Sequence, residues 1–513
     1  MAGYVLGIDA GTESIRTGVY DETGNCIGFG ASENKNIHLH PGWGEQNIDQ
    51  WDKSLVESIR AAVKTSGIDP ASVKGIGVDG TSCTVVFLDK NGKPLRDAVM
   101  WMDIRAAGEA EEIARSGDNA LKYTGFGNVS AEWFPCKVLW IKRNEPDIYK
   151  QAATIFEHTD WLAYRLTGEV TANICTTSIR WFYNFREGGR PVSLYNTIGL
   201  DDIEEKLPKR IVKLGEVVAG LSAEMAEKTG LTKGIPIAGG GADAYVGVIG
   251  VNALKPGQLA LITGSSQLHI GLSDKELYVK GLFGSFPDGL IPGAWIVEAG
   301  QISTGSIMKW FMSNFINADI KARAAEQNCS LYDIMNEEAA ALPPGSEGLV
   351  ILEHWQGNRT PWVDPLSRGV IRGLTLKHGP AHIFRAIMEG VVYGTKVILN
   401  TMEQHFRIDE IIACGGATQS DLWMQINADV TGKPIMIPQD QNAVSLGSGI
   451  LAAVGAGWYG DIQSAAAAMV RKGRTVTPNL NNTEAYKEYV CQYEATYHAL
   501  KDESRRLVET LRS

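Results

Sequence analysis

The apolar positions of this chain fall into short runs that end in small polar turns. In YVLGIDAGTESIRTGVYDETGN, beginning at Tyr4, an apolar run predicts a strand, DAGTES a turn, and IRTGVY a second strand stopping at Asp21. QLALITGSSQLHIGLSD, near the middle, repeats the arrangement with the turn TGSS and a second strand ending at Asp274. With Asp9 set against Thr263, the two segments lie about half a chain apart, which predicts an internal duplication. KGIGVDGTSCTVVFLD is strand-like, and DEIIACGGATQS reads as a strand ending in Gly415 and Gly416. Helical spacing runs from Trp51 to Lys64. It returns in HIFRAIMEGVVYGTKVILNTM, where apolar or small residues recur at 383, 386, 387, 390, 391, 394 and 398. Tyr486 to Leu511 predicts a charged amphipathic helix. The mixture is α/β, in two related domains, residues 1–250 and 251–513.

The first half closes on GGGADAYVGVIG, Gly239 to Gly250. Asp243 has two readings there. It caps the helix after it, since Asp is a favoured cap, or it is a buried base whose glycine neighbours let a ligand approach the backbone. The stretch alone leaves both open.

Composition narrows the class. A chain of 513 residues exceeds what one hydrophobic core serves. A net charge of −11 argues against a nucleic-acid partner, which would call for a basic face. Asp9 interrupts the N-terminal apolar run, and there is no stretch of about 18 apolar residues, so neither a signal peptide nor a membrane span is expected. The seven cysteines are scattered without a CxxC, which reads as reduced thiols in a cytoplasmic protein. His38, His40 and Glu45 find no further ligands at zinc spacing.

The candidate chemistry lies in the turns. No Walker loop exists, because Gly92-Lys93 and Gly432-Lys433 are both followed by proline. Three Gly/Ser/Thr turns at strand ends take its place: one with Gly11, Thr12 and Ser14, one with Thr263, Gly264 and Ser265, and one with Gly415, Gly416 and Ser420. Such turns offer backbone N–H and hydroxyl donors to phosphate oxygens. Asp9, beside the first, would repel phosphate directly but suits Mg²⁺ held through water. Trp101, Asp103 and Arg105 are either a surface ion-paired turn or a sugar-facing set, and read alone they favour the turn.

These segments together resemble the FGGY family of carbohydrate kinases, which has two duplicated actin-like ATPase (ribonuclease H-like) domains with a cleft between them. The likeness runs essentially end to end. GIDAGTESIR resembles the family's first phosphate loop, TGSSQ its second, and CGGATQSDLWMQINADVTGKPI its adenosine-binding region. HPGWGEQNIDQW and GNRTPWVDPLSRG are similar to recurring stretches, and Gly369 to Glu389 fits the C-terminal signature throughout. The N-terminal signature departs in one place: Phe134 stands three residues before Lys137, where the family has Pro, Ser or Thr. VMWMDIRA, HTDWLAYRLTGE and WIVEAGQISTG resemble the ribulokinase-like branch. NICTTSIRWFY is similar to a stretch that carries a sugar-binding lysine there, and Arg180 holds that place here, a planar fork in place of a point donor.

The resemblance implies ATP and Mg²⁺ as cofactors, Asp243 as the catalytic base, and a sugar pocket of Ser82, Cys83, Trp101, Asp103, Arg180, Asp243 and Glu298. It adds Gly305 to the nucleotide-binding turns. The implied reaction is ATP-dependent phosphorylation of the primary hydroxyl of an open-chain sugar, a pentulose such as ribulose. Xylulose or erythritol are alternative substrates, and an actin-like nucleotide-binding regulator is the rival of another class. The expected partners are a small sugar and ATP, with no nucleic acid and no membrane; a homodimer stays open.

Overall fold

The structure is a computed structural model that describes residues 3–125, 129–440 and 442–512. Its first sheet is built from β1 (Tyr4–Ala10), β2 (Ser14–Tyr20), β3 (Cys26–Glu33), β4 (Val73–Gly80), β5 (Val217–Gly220) and β6 (Pro236–Ala242). They lie in the order β5-β6-β4-β1-β2-β3. The second comprises β7 (Gly257–Thr263), β8 (Gln267–Ser273), β9 (Phe283–Pro287), β10 (Trp295–Gln301), β11 (Ile408–Gly415), β12 (Ile435–Pro438) and β13 (Lys472–Val476). Its order is β9-β10-β8-β7-β11-β12-β13.

Taken from the other edge, the second sheet repeats the first strand for strand, with β9 added. β1 is parallel to β4 and β4 to β6, as β7 is to β11 and β11 to β12. β2 is antiparallel to β1, and β8 to β7. The duplication expected from Asp9 and Thr263 is therefore present in the pairing itself. β1 is buried along nearly its whole length, which is why its sequence is a continuous apolar run rather than an alternation.

The helices that position the site and its supports are α1 (Ile48–Ser66), α2 (Phe134–Asn144), α3 (Ile174–Arg180), α4 (Asp243–Gly250), α5 (Gly305–Asn314), α6 (Pro380–Met402), α7 (Asp421–Thr431), α8 (Ala443–Gly455) and α9 (Leu480–Arg512). α1 shows how local chemistry sets the bounds. Asn47 accepts from the Gln50 N–H at its start, and Gly67, at φ 68°, ends it in the left-handed region. Its buried stripe of Trp51, Leu55, Ile59 and Ala62 faces the first sheet. In α6 the buried Arg385 and Glu389 bind each other and the hydroxyl of Tyr486, which anchors α9.

α8 comes from the second half of the chain, yet it packs across β1, β4 and β6 of the first sheet. It sits so close that side chains are excluded. A Cβ on Gly7 would lie 1.9 Å from Ser445 O, and one on Gly77 would lie 2.0 Å from Ser448 O. α4 crosses α8 equally tightly: a Cβ on Gly250 would stand 1.7 Å from Ala443 O, and one on Gly447 would stand 2.2 Å from Val246 O. Gly250→Ala should therefore lower stability by on the order of 1–3 kcal/mol. Gly460→Ala, with nothing within 4 Å of the new carbon, should stay within about 0.5 kcal/mol of the parent. Urea unfolding of both variants checks the pair.

Candidate active site

β1, β4 and β6 end side by side, and each end delivers a carboxylate. Asp9 is the register partner of Asp79 on the neighbouring strand. Gly241 pairs with Asp79 and Ala242 with Gly80, so Asp243 comes at the next position, as the first residue of α4. Asp9 and Asp79 are buried on neighbouring strands, and their carboxyls act on each other electrostatically. Arg16 pairs with Asp9 Oδ2 at 2.8 Å, and Ser448 Oγ of α8 donates to Asp79 Oδ2 at 2.7 Å. Oδ1 of each accepts nothing.

Burial raises the Asp9 carboxyl, with Arg16 opposing it. Asp79 is driven well above the carboxylate range by burial, and then by the charges of Asp9 and Asp243. Asp243, partly open to solvent, is pushed up to about 6 by burial and then by Asp9. It is not the helix cap: that position is Ala242, and Asp243 Oδ1 accepts from the adjacent Ala244 N–H at 2.7 Å.

Two residues further along α4, Tyr245 reaches the other half of the molecule. Its hydroxyl donates to Glu298 on β10. Arg180, the last residue of α3, donates through Nη2 to both Glu298 oxygens at 3.1 and 2.9 Å. Burial works against the Arg180 charge, but Glu298 outweighs it and holds the guanidinium firmly protonated. The Trp133 ring stands 5.4 Å from the guanidinium carbon. The set is closed and near neutral.

Around it the chain is held by buried polar groups. Lys137 of α2 donates to the carbonyls of Cys83 at 2.8 Å, Trp101 at 3.1 Å and Met100 at 2.5 Å, which pins two loops together. Cys83 sits at φ 62°, and its N–H donates to Glu157 Oε2 at 2.9 Å. Burial pushes the Cys83 thiol up to about 12, so it stays neutral. Ser82, half-buried, shares that turn. Trp101 Nε1 donates to Thr12 Oγ1 at 2.9 Å, joining the expected sugar side to the first turn.

Asp103, expected in the sugar set, is otherwise engaged. Its oxygens accept from Gly44 N at 2.7 Å and from Arg105 N, Nε and Nη2 at 2.7–3.0 Å, and Arg105 also binds Glu45. With its lone pairs filled, Asp103 shapes the Trp101 turn and has no oxygen left for a ligand.

The second and third turns lie against each other. Thr263 Oγ1 donates to Cys414 O at 2.8 Å and accepts from Ala417 N at 3.1 Å. Gly415 takes φ 94°, where a Cβ would stand 1.9 Å from Thr263 O. The glycine N–H groups expected to face phosphate are used internally: Gly11 binds Ser14 O at 3.1 Å, Gly264 binds Ser266 O at 2.8 Å and Gly305 binds Gly264 O at 3.1 Å. Ser420 caps α7, accepting from Trp423 N at 3.1 Å, and donates to Asn336 Oδ1 at 2.6 Å, while Gly416 has open space around it. Beside Gly264 and Ser265 a cavity of about 590 Å³ opens against Gly305, Lys309, Trp310 and Asn314 of α5.

The chain matches the N-terminal domain of the FGGY family of carbohydrate kinases over residues 4–250 and its C-terminal domain over residues 259–456. It belongs to the FGGY carbohydrate kinases. A ribulokinase of Geobacillus thermodenitrificans is 34% identical over 526 residues, covering 96% of this chain and 93% of that protein. An FGGY carbohydrate kinase domain-containing protein of Xenopus laevis is 30% identical over 528 residues, covering 95% of each. Among solved structures, the xylulose kinase of Rhodospirillum rubrum superposes with a TM-score of 0.85 at 26% identity, over 98% of this chain and 99% of that one.

The actin-like architecture expected from the sequence is thus the fold of this FGGY kinase, and the enzyme is a sugar kinase. Members of the family use ATP and in general need a divalent metal. Asp9 fits one: its Oδ1 is buried with no donor, which leaves an anionic oxygen for a hydrated cation. Among the described residues, no helix is long and apolar enough to cross a membrane.

Sequence reasoning missed Asp79, Lys137, Glu157 and Tyr245. Asp79 had a signal, because GIGVDG imitates VLGIDAG in placing an Asp-Gly or Asp-Ala pair at a strand end. Lys137 stood inside a recognised signature, but its three carbonyl partners come from loops far along the chain.

Proposed function

We propose that this FGGY kinase transfers the γ-phosphoryl group of ATP to the primary hydroxyl of a neutral pentulose, ribulose before xylulose, with Mg²⁺ as the metal. Residues 1–250 serve as the sugar half, carrying the first phosphate turn and Asp243, and residues 251–513 as the nucleotide half. The observation that carries the reading is the buried Arg180–Glu298–Tyr245 set, two residues along α4 from Asp243. A free buried guanidinium would select a sugar acid; one already neutralised by Glu298 favours a neutral polyol. The 34% identity to a ribulokinase over nearly the whole chain supports the pentulose.

In this mechanism Asp243 accepts the proton of the primary hydroxyl as its oxygen bonds to the γ-phosphorus. The bond to the β,γ-bridging oxygen breaks, and ADP leaves. Glu298, Tyr245 and Arg180 orient the remaining hydroxyls, and Trp101, Ser82 and Cys83 wall the pocket. The turns at Gly11–Ser14 and Thr263–Ser265 hold the phosphates, with Gly305 and Gly415 giving the close backbone approach and Gly416 and Ser420 at the adenosine end. Asp9 would hold Mg²⁺ through water, which supplies countercharge to the phosphates when bound. Closure between the halves excludes water and limits ATP hydrolysis.

A panel of ribulose, xylulose, erythritol and a sugar acid, with ATP and Mg²⁺, tests the assignment. Ribulose should give the highest kcat/KM, and EDTA should abolish turnover. Preference for erythritol or the acid would overturn it, and ADP release indifferent to every sugar would favour the nucleotide-binding regulator.

Glu298→Gln leaves the Arg180 charge buried without its partner. It should lower kcat/KM for ribulose by about 10-fold or more, shift preference toward the acid, and leave ATP affinity nearly unchanged.

Asp243→Asn should fold with an unchanged Tm, bind both substrates and lose about 10²–10⁴-fold in kcat. In the parent, kcat/KM should fall as pH drops through about 6, because protonation removes the base that burial and Asp9 have raised. A variant within a few-fold of the parent would remove Asp243 from the chemistry.

A further inference from the structure

Asp79 has no part in the proposed transfer, yet its surroundings are those of a ligand. It ends β4 beside Asp9, wholly buried, and only one of its oxygens has a donor, Ser448 Oγ at 2.7 Å. The second oxygen, Asp79 Oδ1, and its counterpart Asp9 Oδ1 are both buried and accept no hydrogen bond. A buried carboxyl oxygen left this way loses its hydration and gains no hydrogen bond in return, a penalty that a fold retains only where something else meets the oxygen. The charge count agrees. Asp9, Asp79 and Asp243 act electrostatically on one another, and Arg16 is the cation bonded to the set, by its ion pair with Asp9. With all three carboxyls ionised, as a bound cation would hold them, and one guanidinium beside them, the set carries two negative charges, which one divalent cation balances.

We propose that Asp79 is a second carboxylate of the cation site, holding a hydrated divalent metal jointly with Asp9 at the ends of β1 and β4. This rests on the reading of Asp9 as the metal's carboxylate. Asp79 then does two things at once: Oδ2 ties α8 to the first sheet through Ser448, and Oδ1 faces the cation. The competing description makes Asp79 only the acceptor that pins α8. In that case an amide carbonyl at the same place does the same work.

Mn²⁺ binding to the full-length protein, followed by electron paramagnetic resonance of the free ion in the presence of ADP, separates the two. Asp79→Asn preserves an acceptor for Ser448 but removes the charge, and it should weaken Mn²⁺ binding by about 10-fold or more while leaving Tm in EDTA equal to or above the parent's. Ser445→Ala, which breaks a different α8 contact to the same sheet (Ser445 Oγ to Gly7 O, 3.0 Å), should leave Mn²⁺ affinity within about 3-fold. Parent-like Mn²⁺ binding by Asp79→Asn, or equal losses in Asp79→Asn and Ser445→Ala, would overturn the proposal. Asp9→Asn is measured alongside: if it binds Mn²⁺ like the parent while Asp79→Asn does not, Asp79 stands and the Asp9 reading falls. Should Asp79→Asn fail to fold, Asp79→Ser is read in the same way.

Discussion

The arrangement of Asp9, Asp79 and Asp243 depends on how closely α8 lies on the first sheet. A helix whose backbone touches strand backbone leaves no room for side chains at the contact, so glycine is required at Gly7 and Gly77 on the strands. The same demand recurs where α8 crosses α4, at Gly447 and Gly250. The approach fixes the heights of both helices over the sheet. It brings Ser448 to Asp79, and it sets the start of α4, hence Asp243, at the ends of β4 and β1. The placement of the three carboxylates thus follows from a close backbone contact, with the Ser448–Asp79 bond added to it.

Against that rigid base the cleft holds two kinds of buried charge. On one side Arg180 and Glu298 are matched, with Tyr245 completing the set, so the pocket approaches neutrality before any ligand arrives. On the other side Asp9, Asp79 and Asp243 share one arginine, and Asp9 and Asp79 keep unsatisfied oxygens. Taking charges out of water costs several kcal/mol each unless they are paired. The paired set is the proposed sugar site, and the unpaired set the proposed cation site. The separation reflects which half of the molecule supplies the partner: Glu298 comes across the cleft from β10, whereas the three carboxylates belong to the first sheet and the start of α4.

The segment with the most specific resemblance, Gly369 to Glu389, turns out to serve packing. Its Arg385 and Glu389 are buried against Tyr486, and Ser346 also donates to Glu389. A signature of that kind identifies the family without marking the chemistry. Asp103 teaches the same lesson on a smaller scale, since a residue in a recognised motif can be wholly occupied in holding a turn.

The sequence by itself determined the strand–turn–strand repeats, the long helix α6, the glycine run before Asp243 and the turns at Thr12, Thr263 and Gly415. Each is written in local periodicity or in residues whose backbone demands are local. What only the tertiary structure decided was which of these features meet. Asp79 lies 70 positions after Asp9 and becomes its neighbour through the register of β4 against β1. Arg180 and Glu298, 118 positions apart, pair across the cleft, and α8 leaves the half that precedes it to cover the other sheet. A local pattern states which face of a strand or helix is buried; the partner that buries it is chosen by the packing of the whole chain.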